Sequence, residues 1–406
     1  MSKILDKLKV VELTTFVAAP TTGRMLADWG ADVVKVEPLE GDFFRGYGKG
    51  LNVPADTGEN PLFDMYNSGK KSLALNLKTE EGMAVLHDLL KDADVFITNN
   101  RTKALKKMGI DYDSLKQKHP RLIYATITGF GDKGPLADAP GFDTVAFWGS
   151  SGALVDLSIE TGNSYPLNTP AAVGDVASGT NLFGAIMAAL YARELNGKGD
   201  KVTVSLYGSA VWSMSFMNVI AQEKYGYKYP KKRYEVNPTA APYRTKDNEW
   251  IMLTILDHDR YFPSLCEIIG RPELSRDPKF IDKIALLNMD NRKELMQILE
   301  DAFNKKDAHE WHLLLTQKDI VHDILKHFKD ISTSEQAMAN NYMSEFAFPN
   351  GQKAMLAKPS LQSDNLGEIE NFRGPYLGEQ SISVLDRLSY SKAKIEELLS
   401  KGIIKQ

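Results

Sequence analysis

Short β-branched runs alternate with amphipathic stretches along about the first 130 residues of the chain. The runs predict strands at Val10–Leu13, Asp32–Glu37, Ser72–Leu77, Val95–Thr98 and Leu122–Thr128. Helices are predicted between them, from about Pro20 to Trp29, from the N-cap Thr79 to about Leu90, and near Leu105 and Leu115. Strands that alternate with helices of this length are typical of βαβ units. The pattern therefore predicts an α/β fold whose large domain is Rossmann-like, with a mainly parallel sheet.

The second half of the chain changes pattern twice. A long helix is predicted from about Val176 to Leu195, then a strand at Val202–Leu206 and an apolar helix at Ser209–Ala221. The Met and aromatic stripe of that last helix is interpreted as core; its members are Met214, Phe216 and Met217. From Glu223 to Arg244 the composition shifts to Lys, Tyr and Pro, which indicates a domain boundary. We therefore expect a large domain over 1–222, a smaller α+β domain over 223–335, and a linker with a C-terminal return to the large domain over 336–406.

Composition and charge narrow the class of protein. The chain has 406 residues, with 49 Lys and Arg against 53 Asp and Glu, a net charge of −4, and 43% hydrophobic residues. This balance is typical of a globular protein and argues against nucleic acid as a partner. The single cysteine, Cys266, allows no intrachain disulfide and fits a reducing compartment. Because we find neither a signal-peptide core nor an uncharged apolar run of about 18 residues, we expect a cytoplasmic protein with no membrane span.

Ligands of a parallel sheet bind beyond the carboxyl ends of its strands, here the loops after Leu13, Glu37, Thr98 and Thr128. The first loop, Phe16–Pro20, lacks the Gly-x-Gly-x-x-Gly pattern that close approach to a dinucleotide pyrophosphate needs. The sequence contains no Walker A pattern and no His-Glu-x-x-His, and its seven histidines have no metal-ligand spacing. We therefore expect neither a redox dinucleotide nor a bound metal.

Asp175 is the candidate for chemistry at the start of the long helix. It stands between glycines in the segment Gly174–Gly179. As a helix cap, its carboxylate would accept hydrogen bonds from the free amides of the first turn. As a nucleophile, it would be ionised there and form acyl intermediates, with the glycines giving a bulky substrate access. The residues alone leave both interpretations open.

Basic residues cluster near several predicted strand ends. Solvated helix faces explain most such clusters, but the phosphates of a soluble cofactor would be bound by residues of the same kind. The residues are Lys70, Lys71, Lys78, Arg101, Lys103, Lys106 and Lys107.

Several short motifs follow one another in a specific order. The first is Asp6–Glu37, with Ala18-Ala19-Pro20 in its first loop and Gly30–Glu37 at the second strand. The others are Asn67–Ser72, Ala104–Gly109, Thr128–Gly131, Gly134-Pro135, Gly174-Asp175 and Leu195–Asp200. In this order and spacing they resemble the class III CoA-transferases, a family that includes formyl-CoA, carnitine and (R)-2-hydroxyacyl CoA-transferases. The resemblance is strong over about residues 6–215 and weaker toward the end of the chain.

The resemblance implies a CoA thioester exchange with coenzyme A thioester as a substrate and no permanently bound cofactor or metal. In the family, the aspartate that matches Asp175 attacks the donor thioester to give a mixed anhydride, which the released CoA thiolate converts to an aspartyl-CoA thioester. The acceptor carboxylate then repeats these steps in reverse. Amides within Gly174–Gly179 become candidates for binding the oxyanion. The CoA contacts carried over by position are Val17, Ala18, Leu75, Lys78, Asn99, Asn100 and Lys107, with Phe142 near the acyl group.

One departure from the family concerns the end of the second strand. Relatives often have Arg after the acid that matches Glu37, whereas this chain has Pro38, which leaves Lys35 or Arg45 as candidates for that phosphate contact. The family fold of two interlocked rings implies a homodimer, in which the small domain of one subunit closes the site of the other.

The resemblance narrows the substrate in part. The glycine-rich loop that covers the site of formyl-CoA transferase has no counterpart between Val236 and Ile251, which disfavours oxalate and formate. Gly134-Pro135-Leu136 and Lys201–Leu206 are similar to the branch that acts on (R)-2-hydroxy acids, such as 2-hydroxyisocaproate and aryllactates, in amino-acid fermentation. The product would then feed a 2-hydroxyacyl-CoA dehydratase. Candidate lining residues of the acyl pocket are Phe147, Trp148 and Leu154.

Three alternatives stay open. The acid could be another one, such as carnitine or a dicarboxylate. A 2-methylacyl-CoA racemase of the same fold would need a proton-transferring pair, usually with a histidine, whereas no histidine occurs between His119 and His258. A CoA-binding protein without chemistry would not need Asp175 between glycines.

Overall fold

The computed structural model of the chain describes residues 4–160, 165–365 and 367–406. Its strands are β1 Lys9–Leu13, β2 Asp32–Glu37, β3 Lys71–Leu75, β4 Val95–Thr98, β5 Ile123–Thr128, β6 Ile159–Glu160, β7 Lys201–Ser205, β8 Lys231–Lys232, β9 Pro242–Arg244, β10 Trp250–Leu253, β11 His322–Ile324, β12 Met343–Ala347, β13 Lys353–Ala357 and β14 Ile404–Lys405. Its α-helices are α1 Ala18–Asp28, α2 Pro61–Asn67, α3 Glu80–Lys91, α4 Thr102–Met108, α5 Tyr112–Leu115, α6 Ala153–Asp156, α7 Val173–Asn196, α8 Leu206–Ser213, α9 Ser215–Ile220, α10 His258–Ile268, α11 Met289–Phe303, α12 Ala308–Gln317, α13 Phe328–Ile331, α14 Glu335–Ala339, α15 Ser381–Arg387 and α16 Lys392–Ser400.

The described chain divides into two compact units. The first unit comprises the described residues of Met1–Ala153, Asn168–Ile220 and Ser332–Gln406, and the second comprises those of Leu154–Leu167 and Ala221–Ile331. The grouping of Leu154–Leu167 with the second unit is a feature that the sequence patterns do not indicate. The domain limits drawn from the sequence stay a prediction.

A seven-stranded sheet in the order β14-β3-β2-β1-β4-β5-β7 forms the centre of the first unit. β3, β2, β1, β4, β5 and β7 pair in parallel, and only β14 runs antiparallel to its neighbour. The inner strands are almost wholly buried, as is typical of a parallel sheet covered on both faces. The predicted α/β fold with a mainly parallel sheet is therefore confirmed.

Helices cover both faces of this sheet. On one face, a core of aliphatic side chains from the strands packs against α3, α15 and α16, with Leu86, Leu385 and Leu398 fully or almost fully buried. The other face holds α1 and α7, which pack closely together. Gly179 permits this approach, because a Cβ atom there would lie 2.4 Å from the carbonyl oxygen of Ala18. The tight α1–α7 contact fixes the start of α7 relative to the loop after β1.

The second unit has its own core. Its antiparallel sheet has the order β11-β10-β9 and packs with α10, α11 and α12. Tyr243 stacks on Phe303 with ring centroids 4.9 Å apart, and the Trp311 indole donates a hydrogen bond to the Phe303 carbonyl over 2.7 Å. Cys266 is buried in the same core, where it packs as a small apolar side chain.

The predicted apolar helix at Ser209–Ala221 differs in the structure. The hydroxyl of Ser205 accepts a hydrogen bond from the amide of Gly208, which caps α8 and starts the helix at Leu206, and a second helix, α9, follows. The prediction that Met214, Phe216 and Met217 are core is wrong, since Phe216 is 72% exposed and the two methionines are half-buried. The three residues belong to an apolar surface of the single chain instead.

Among the described residues, α7 alone is long and apolar enough to cross a membrane by length and composition. Core helices share these properties, and α7 packs against α1, β5 and β7.

Candidate active site

A cavity of about 410 Å³ lies at the carboxyl edge of the parallel sheet. Loops that follow β1, β2, β4, β5 and β7 contribute to it, and so does the start of α7. This position agrees with the general rule for parallel sheets, in which ligands bind beyond the strand ends. Its walls consist of Thr15, Phe16, Ala18, Phe43, Asn99, Asn100, Arg101, Thr102, Ile127, Thr128, Gly129, Ala137, Asp138, Ala139, Pro140, Gly141, Phe142, Asp175 and Leu206. The predicted site residues that it brings together are Ala18, Asn99, Asn100, Phe142 and Asp175.

Asp175 lies in the first turn of α7 and faces this cavity. The helix begins at Val173, and the cap position is taken by Ala172, whose φ of 65° is left-handed. Asp175 is therefore not the helix cap, and that interpretation of the sequence is wrong. As a residue of the first turn, it lies beside backbone amides that have no partner within the helix.

Burial and the charge of Asp143 both act on the carboxyl of Asp175. Burial raises the pKa of Asp175 to about 7, and the negative charge of Asp143 adds to the increase. Burial also raises the pKa of Asp143 to about 6, against the lowering effect of the Ala172 and Gly174 amides. No well-aligned hydrogen bond from the described residues reaches either carboxylate oxygen of Asp143. We call Asp143 and Asp175 the carboxylate pair.

Gly174 makes this arrangement sterically feasible. A Cβ atom at position 174 would lie 2.2 Å from Oδ1 of Asp143 and 2.3 Å from Cγ of Phe147. The glycine before Asp175 thus allows a helical turn, Asp143–Gly149, to pack against the start of α7. Packing is the role that the structure shows for this glycine.

Tyr66, on α2, is a further residue near the carboxylate pair. Burial raises the pKa of its phenol to about 12, and the charges of Asp175 and Asp143 contribute to the increase. Its hydroxyl therefore stays protonated at neutral pH and is available as a hydrogen-bond donor. Neither Tyr66 nor Asp143 was among the residues predicted from the sequence.

The loop after β1 is held by side chains from two other strand ends. The carboxylate of Asp42 accepts hydrogen bonds from the hydroxyl of Thr15, over 2.5 Å, and from the amide of Phe16, over 3.3 Å. The side chain of Asn99 accepts from the Thr15 amide over 3.0 Å and donates to the Thr15 carbonyl over 2.9 Å. Because both functions of its amide are used in this way, Asn99 positions the loop.

Six charged side chains form a buried ion network beneath this loop, and they are Glu12, Lys35, Glu37, Asp42, Arg45 and Lys70. Lys35 lies 3.0 Å from Asp42 and 3.4 Å from Glu12, and Lys70 lies 2.8 Å from Glu12. Burial opposes the charge of Asp42, but Lys35 and the hydroxyl of Thr15 keep the pKa of its carboxyl below the usual value. Burial lowers the pKa of Lys70 to about 8. Three cations thus balance three anions.

The network contains both candidates for the phosphate contact at Pro38. Lys35 has no exposed side-chain surface. Arg45 donates two hydrogen bonds of 2.7 Å to Glu37 and a third to the Pro375 carbonyl, while its guanidinium lies 4.0 Å from the ring centre of Phe63. Both cations therefore have internal partners. Lys35 is fully enclosed and cannot reach a ligand, whereas Arg45 keeps 19% of its side chain exposed, and its role as a phosphate contact stays a prediction. Lys70 of the predicted basic cluster is internal as well.

The remaining predicted CoA contacts lie outside the cavity walls. Leu75 is fully buried in the core, where β3 pairs with β14. Val17 is buried against Phe44. Lys78 and Lys107 are exposed, the first after β3 and the second on α4. Their roles stay predictions.

The candidate acyl-pocket residues also lie outside the cavity wall. Phe147 and Trp148 are buried in the helical turn Asp143–Gly149, whereas Leu154 belongs to the second unit. Neither Phe147 nor Trp148 is part of the cavity wall.

Comparison with known proteins identifies the class to which this fold and site belong. The sequence model of CoA-transferase family III matches residues 5–381 of this chain. The chain therefore belongs to that family, as the motifs predict, and it is a CoA-transferase, an enzyme class that uses CoA thioesters as substrates.

Particular relatives cover the whole chain. (R)-2-hydroxy-4-methylpentanoate CoA-transferase of Clostridioides difficile is 36% identical over 99% of this chain and 100% of its own length. Cinnamoyl-CoA:phenyllactate CoA-transferase of Clostridium sporogenes is 37% identical over 98% of this chain and 96% of its own. Among solved structures, a CAIB/BAIF family protein from Brucella suis superposes with a TM-score of 0.79 at 29% identity, over 96% of this chain and 100% of that one.

Proposed function

We propose that this enzyme transfers CoA from an acyl-CoA to an (R)-2-hydroxy acid, with Asp175 as the covalent nucleophile. The observation that carries the proposal is the position of Asp175. It faces a cavity at the carboxyl edge of the sheet, in the first turn of a long helix, where burial and a second carboxylate raise its pKa to about 7. A carboxylate of higher pKa is more basic and a better nucleophile, and a fraction of it is still ionised at neutral pH.

The proposed reaction starts with the ionised form of Asp175. One of its oxygens attacks the carbonyl carbon of the acyl-CoA, the carbon–sulfur bond breaks, and the CoA thiolate leaves a mixed anhydride behind. The thiolate then attacks the aspartyl carbonyl carbon, which releases the donor acid and forms an aspartyl-CoA thioester. The acceptor carboxylate attacks the same carbon and displaces the thiolate, and the thiolate finally takes the acceptor acyl group and frees Asp175. No water or net proton is consumed.

Neighbouring groups support these steps. Amides of the first turns of α7, within Gly174–Gly179, are candidates for stabilising each tetrahedral oxyanion. The phenol of Tyr66 is a second donor near the carboxylate pair. The charge of Asp143 adds to the effect of burial on the pKa of Asp175, so we propose that Asp143 acts through Asp175 and does not itself react.

The choice of acid rests on the relatives and on the wall of the cavity. Both bacterial relatives reported above are named for acids with a hydroxyl at the second carbon and a large apolar side chain. The exposed rings of Phe43 and Phe142 give the cavity an apolar wall that suits such acids. We further propose that Ala18, Asn100 and the predicted residues outside the wall contact CoA, and that no permanently bound cofactor or metal takes part. Among the described residues, no cluster of His, Cys, Asp or Glu is arranged to hold a metal ion.

An apolar surface on α7, α8 and α9 supports the proposal of a homodimer. Tyr191, Leu195, Trp212 and Phe216 are each 69% to 75% exposed in the single chain. Large exposed patches of this kind mark surfaces that bind another protein. We propose that a second copy covers it in an interlocked dimer, that the enzyme is cytoplasmic, and that a 2-hydroxyacyl-CoA dehydratase of amino-acid fermentation consumes its product.

Trapping the intermediate tests this function. Intact-protein mass spectrometry after mixing with acetyl-CoA and hydroxylamine should show one modification, and peptide mapping should locate it on the peptide that contains Asp175. Asp175→Asn should abolish the modification and lower the CoA transfer rate by about 10⁴-fold or more, since a covalent nucleophile is lost. Asp113→Asn, at an exposed carboxylate of the same unit, is the matched control and should react as the wild type does.

Full transfer by Asp175→Asn, or a modification that maps to another carboxylate, would refute the assignment. A racemase would instead exchange the proton at the second carbon of a 2-methylacyl-CoA without any acceptor acid.

A further inference from the structure

Phe16 has a backbone conformation that aromatic residues rarely adopt. Its φ of 63° lies in the left-handed region, which is unfavourable for a bulky side chain. The surroundings impose this conformation, because Asp42 binds the Phe16 amide and Asn99 holds both backbone groups of Thr15. Strain of this kind persists only where the structure over-determines it, and it is concentrated at functional sites.

The ring of Phe16 is the centre of an aromatic cluster. It stacks with Phe43 at a centroid distance of 5.7 Å and meets Phe142 edge-on at 5.5 Å. Tyr47 and Phe44 pack against it from the other directions, at 5.5 Å and 5.6 Å. The ring thus joins the loop after β1 to the loops that follow β2 and β5.

Three of these rings form one side of the cavity that holds Asp175, and we call Phe16, Phe43 and Phe142 the aromatic wall. Phe43 is 72% exposed and Phe142 is 60% exposed, so both have ring surface that no residue of the described chain covers. Apolar surface of this size inside a reaction cavity is typical of a binding site for an apolar group.

We propose that Phe16 is a specificity-determining residue, whose ring positions the aromatic wall against an aromatic side chain of the acceptor acid. This inference rests on the proposed function, since the acceptor carboxylate has to reach the carbonyl carbon of Asp175 inside the same cavity. The strained backbone at position 16 is what presents the ring between Phe43 and Phe142.

The geometry favours an aryl group over an alkyl group of similar area. Aromatic rings gain from edge-to-face and offset contacts beyond the burial of their surface, and this gain corresponds to a preference of about two- to tenfold. An acid without a large side chain would gain neither effect and would be a poorer substrate by about tenfold or more.

The test compares three acceptors with one donor, acetyl-CoA. The acids are the (R) forms of 3-phenyllactate, 2-hydroxy-4-methylpentanoate and lactate, and the readout is kcat/KM for each. The wild type should prefer phenyllactate. Phe16→Leu keeps an apolar side chain but loses the ring, and should reduce the preference for phenyllactate over the branched acid to about one. Phe16→Asn suits a left-handed φ and removes the ring, and should reduce the preference for phenyllactate over lactate by about tenfold or more.

A matched control is Phe372→Leu. Phe372 belongs to the same unit and is half exposed, but it is not part of the cavity wall, so its variant should keep the wild-type ratios. Circular dichroism of each variant shows whether the fold is retained.

Several results would overturn the inference. An equal loss for all three acids in both variants would mean that Phe16 contacts CoA or the donor acyl group. A Phe142→Leu variant that dissociates in size-exclusion chromatography, with unchanged acid ratios, would mean that a second copy covers the rings. Transfer to none of the three acids by a wild type that still forms the Asp175 adduct would show the acid class to be wrong. Absence of the adduct would instead refute the proposed function.

Discussion

Two groups of ionisable side chains flank the loop after β1, and their charges are arranged in opposite ways. In the buried ion network, Lys35, Lys70 and Arg45 are matched by three carboxylates within 3.4 Å. In the carboxylate pair, the negative charge of Asp143 raises the pKa of Asp175, and no cation of the described chain contributes to the pKa of either. The centre of the network is fully enclosed, whereas Asp143 is buried and Asp175 is half-buried. The pKa values of the pair are nevertheless raised, because no counter-charge offsets the effect of burial.

The two groups serve different requirements of the enzyme. The network pairs each charge with an opposite one, and its member Asp42 binds Thr15 and Phe16. The pair leaves its charges unmatched, which keeps Asp175 basic and destabilises the folded state at high pH. The carboxylates of the buried ion network thus stabilise the fold, and the carboxylate pair supplies the reactive group.

The largest expected effect on stability comes from breaking the network at its centre. Lys35→Met should lower the free energy of unfolding by about 3 to 5 kcal/mol, because it leaves Asp42 and Glu12 buried with less compensation. Urea denaturation of purified protein measures this. Lys116→Met, at an exposed pair with Asp113, is the matched control and should leave the urea midpoint unchanged. Equal midpoints for the two variants would show that the network does not hold the fold.

A smaller effect of opposite sign is expected at the carboxylate pair. The pKa of Asp175 is raised in the folded state, to about 7 from an ordinary value of 3.8. The folded protein therefore holds a proton that the unfolded chain has lost between these values, and stability decreases as the pH rises through this window. Asp175→Asn removes the contribution of Asp175, leaves that of Asp143, and should be more stable than the wild type above pH 7, on the order of 2 kcal/mol.

The pH series supplies its own control for this second prediction. Below a pH of about 3 both states of the wild type are mostly protonated at this position, so the difference between wild type and variant should lose its dependence on pH. A constant difference at all pH values would point to packing rather than to charge.

The smallest effect separates the two causes of the raised pKa of Asp175. Burial is the larger cause and the charge of Asp143 the smaller one. Asp143→Asn should therefore shift the acid limb of the kcat/KM profile to lower pH, by about one unit or less, while the limb stays above the usual range of aspartate. An unchanged limb would show that Asp175 does not sense Asp143 in solution.

The sequence predicted the parallel strands well because each is a short apolar run between polar turns. Asp32–Glu37 and Val95–Thr98 have the predicted bounds, and the N-cap at Thr79 accepts its hydrogen bond from the Gly82 amide. The position of Asp175 at the start of the long helix was also predicted, because an acid beside glycines before an apolar helix is a local signal, whereas its role as the nucleophile came from the family resemblance and stays a prediction. Local signals of this kind are the part of a structure that a chain can encode within a few residues.

The rest depends on residues distant in sequence. Asp143 and Asp175 are brought together by the packing of a helical turn on α7 across Gly174, for which no local pattern exists. Lys35 reads as a polar position in a strand, yet it is enclosed by Glu12 and Asp42 from other segments. Apolar periodicity does not reveal which partner covers an apolar face, so Phe216 was assigned to the core although the single chain exposes it.

The edge of the central sheet has a consequence for biosynthesis. β3 pairs with β14, so Ala74 and Leu75 can form their strand pairing only after Ile404 and Lys405 have left the ribosome. The first unit is assembled from three stretches of chain, and residues 221–331 of the second unit are synthesised before the last of them. The cavity walls therefore emerge early, but the sheet beneath them is completed only when translation has passed residue 405, and nascent chains would be exposed to chaperones until then.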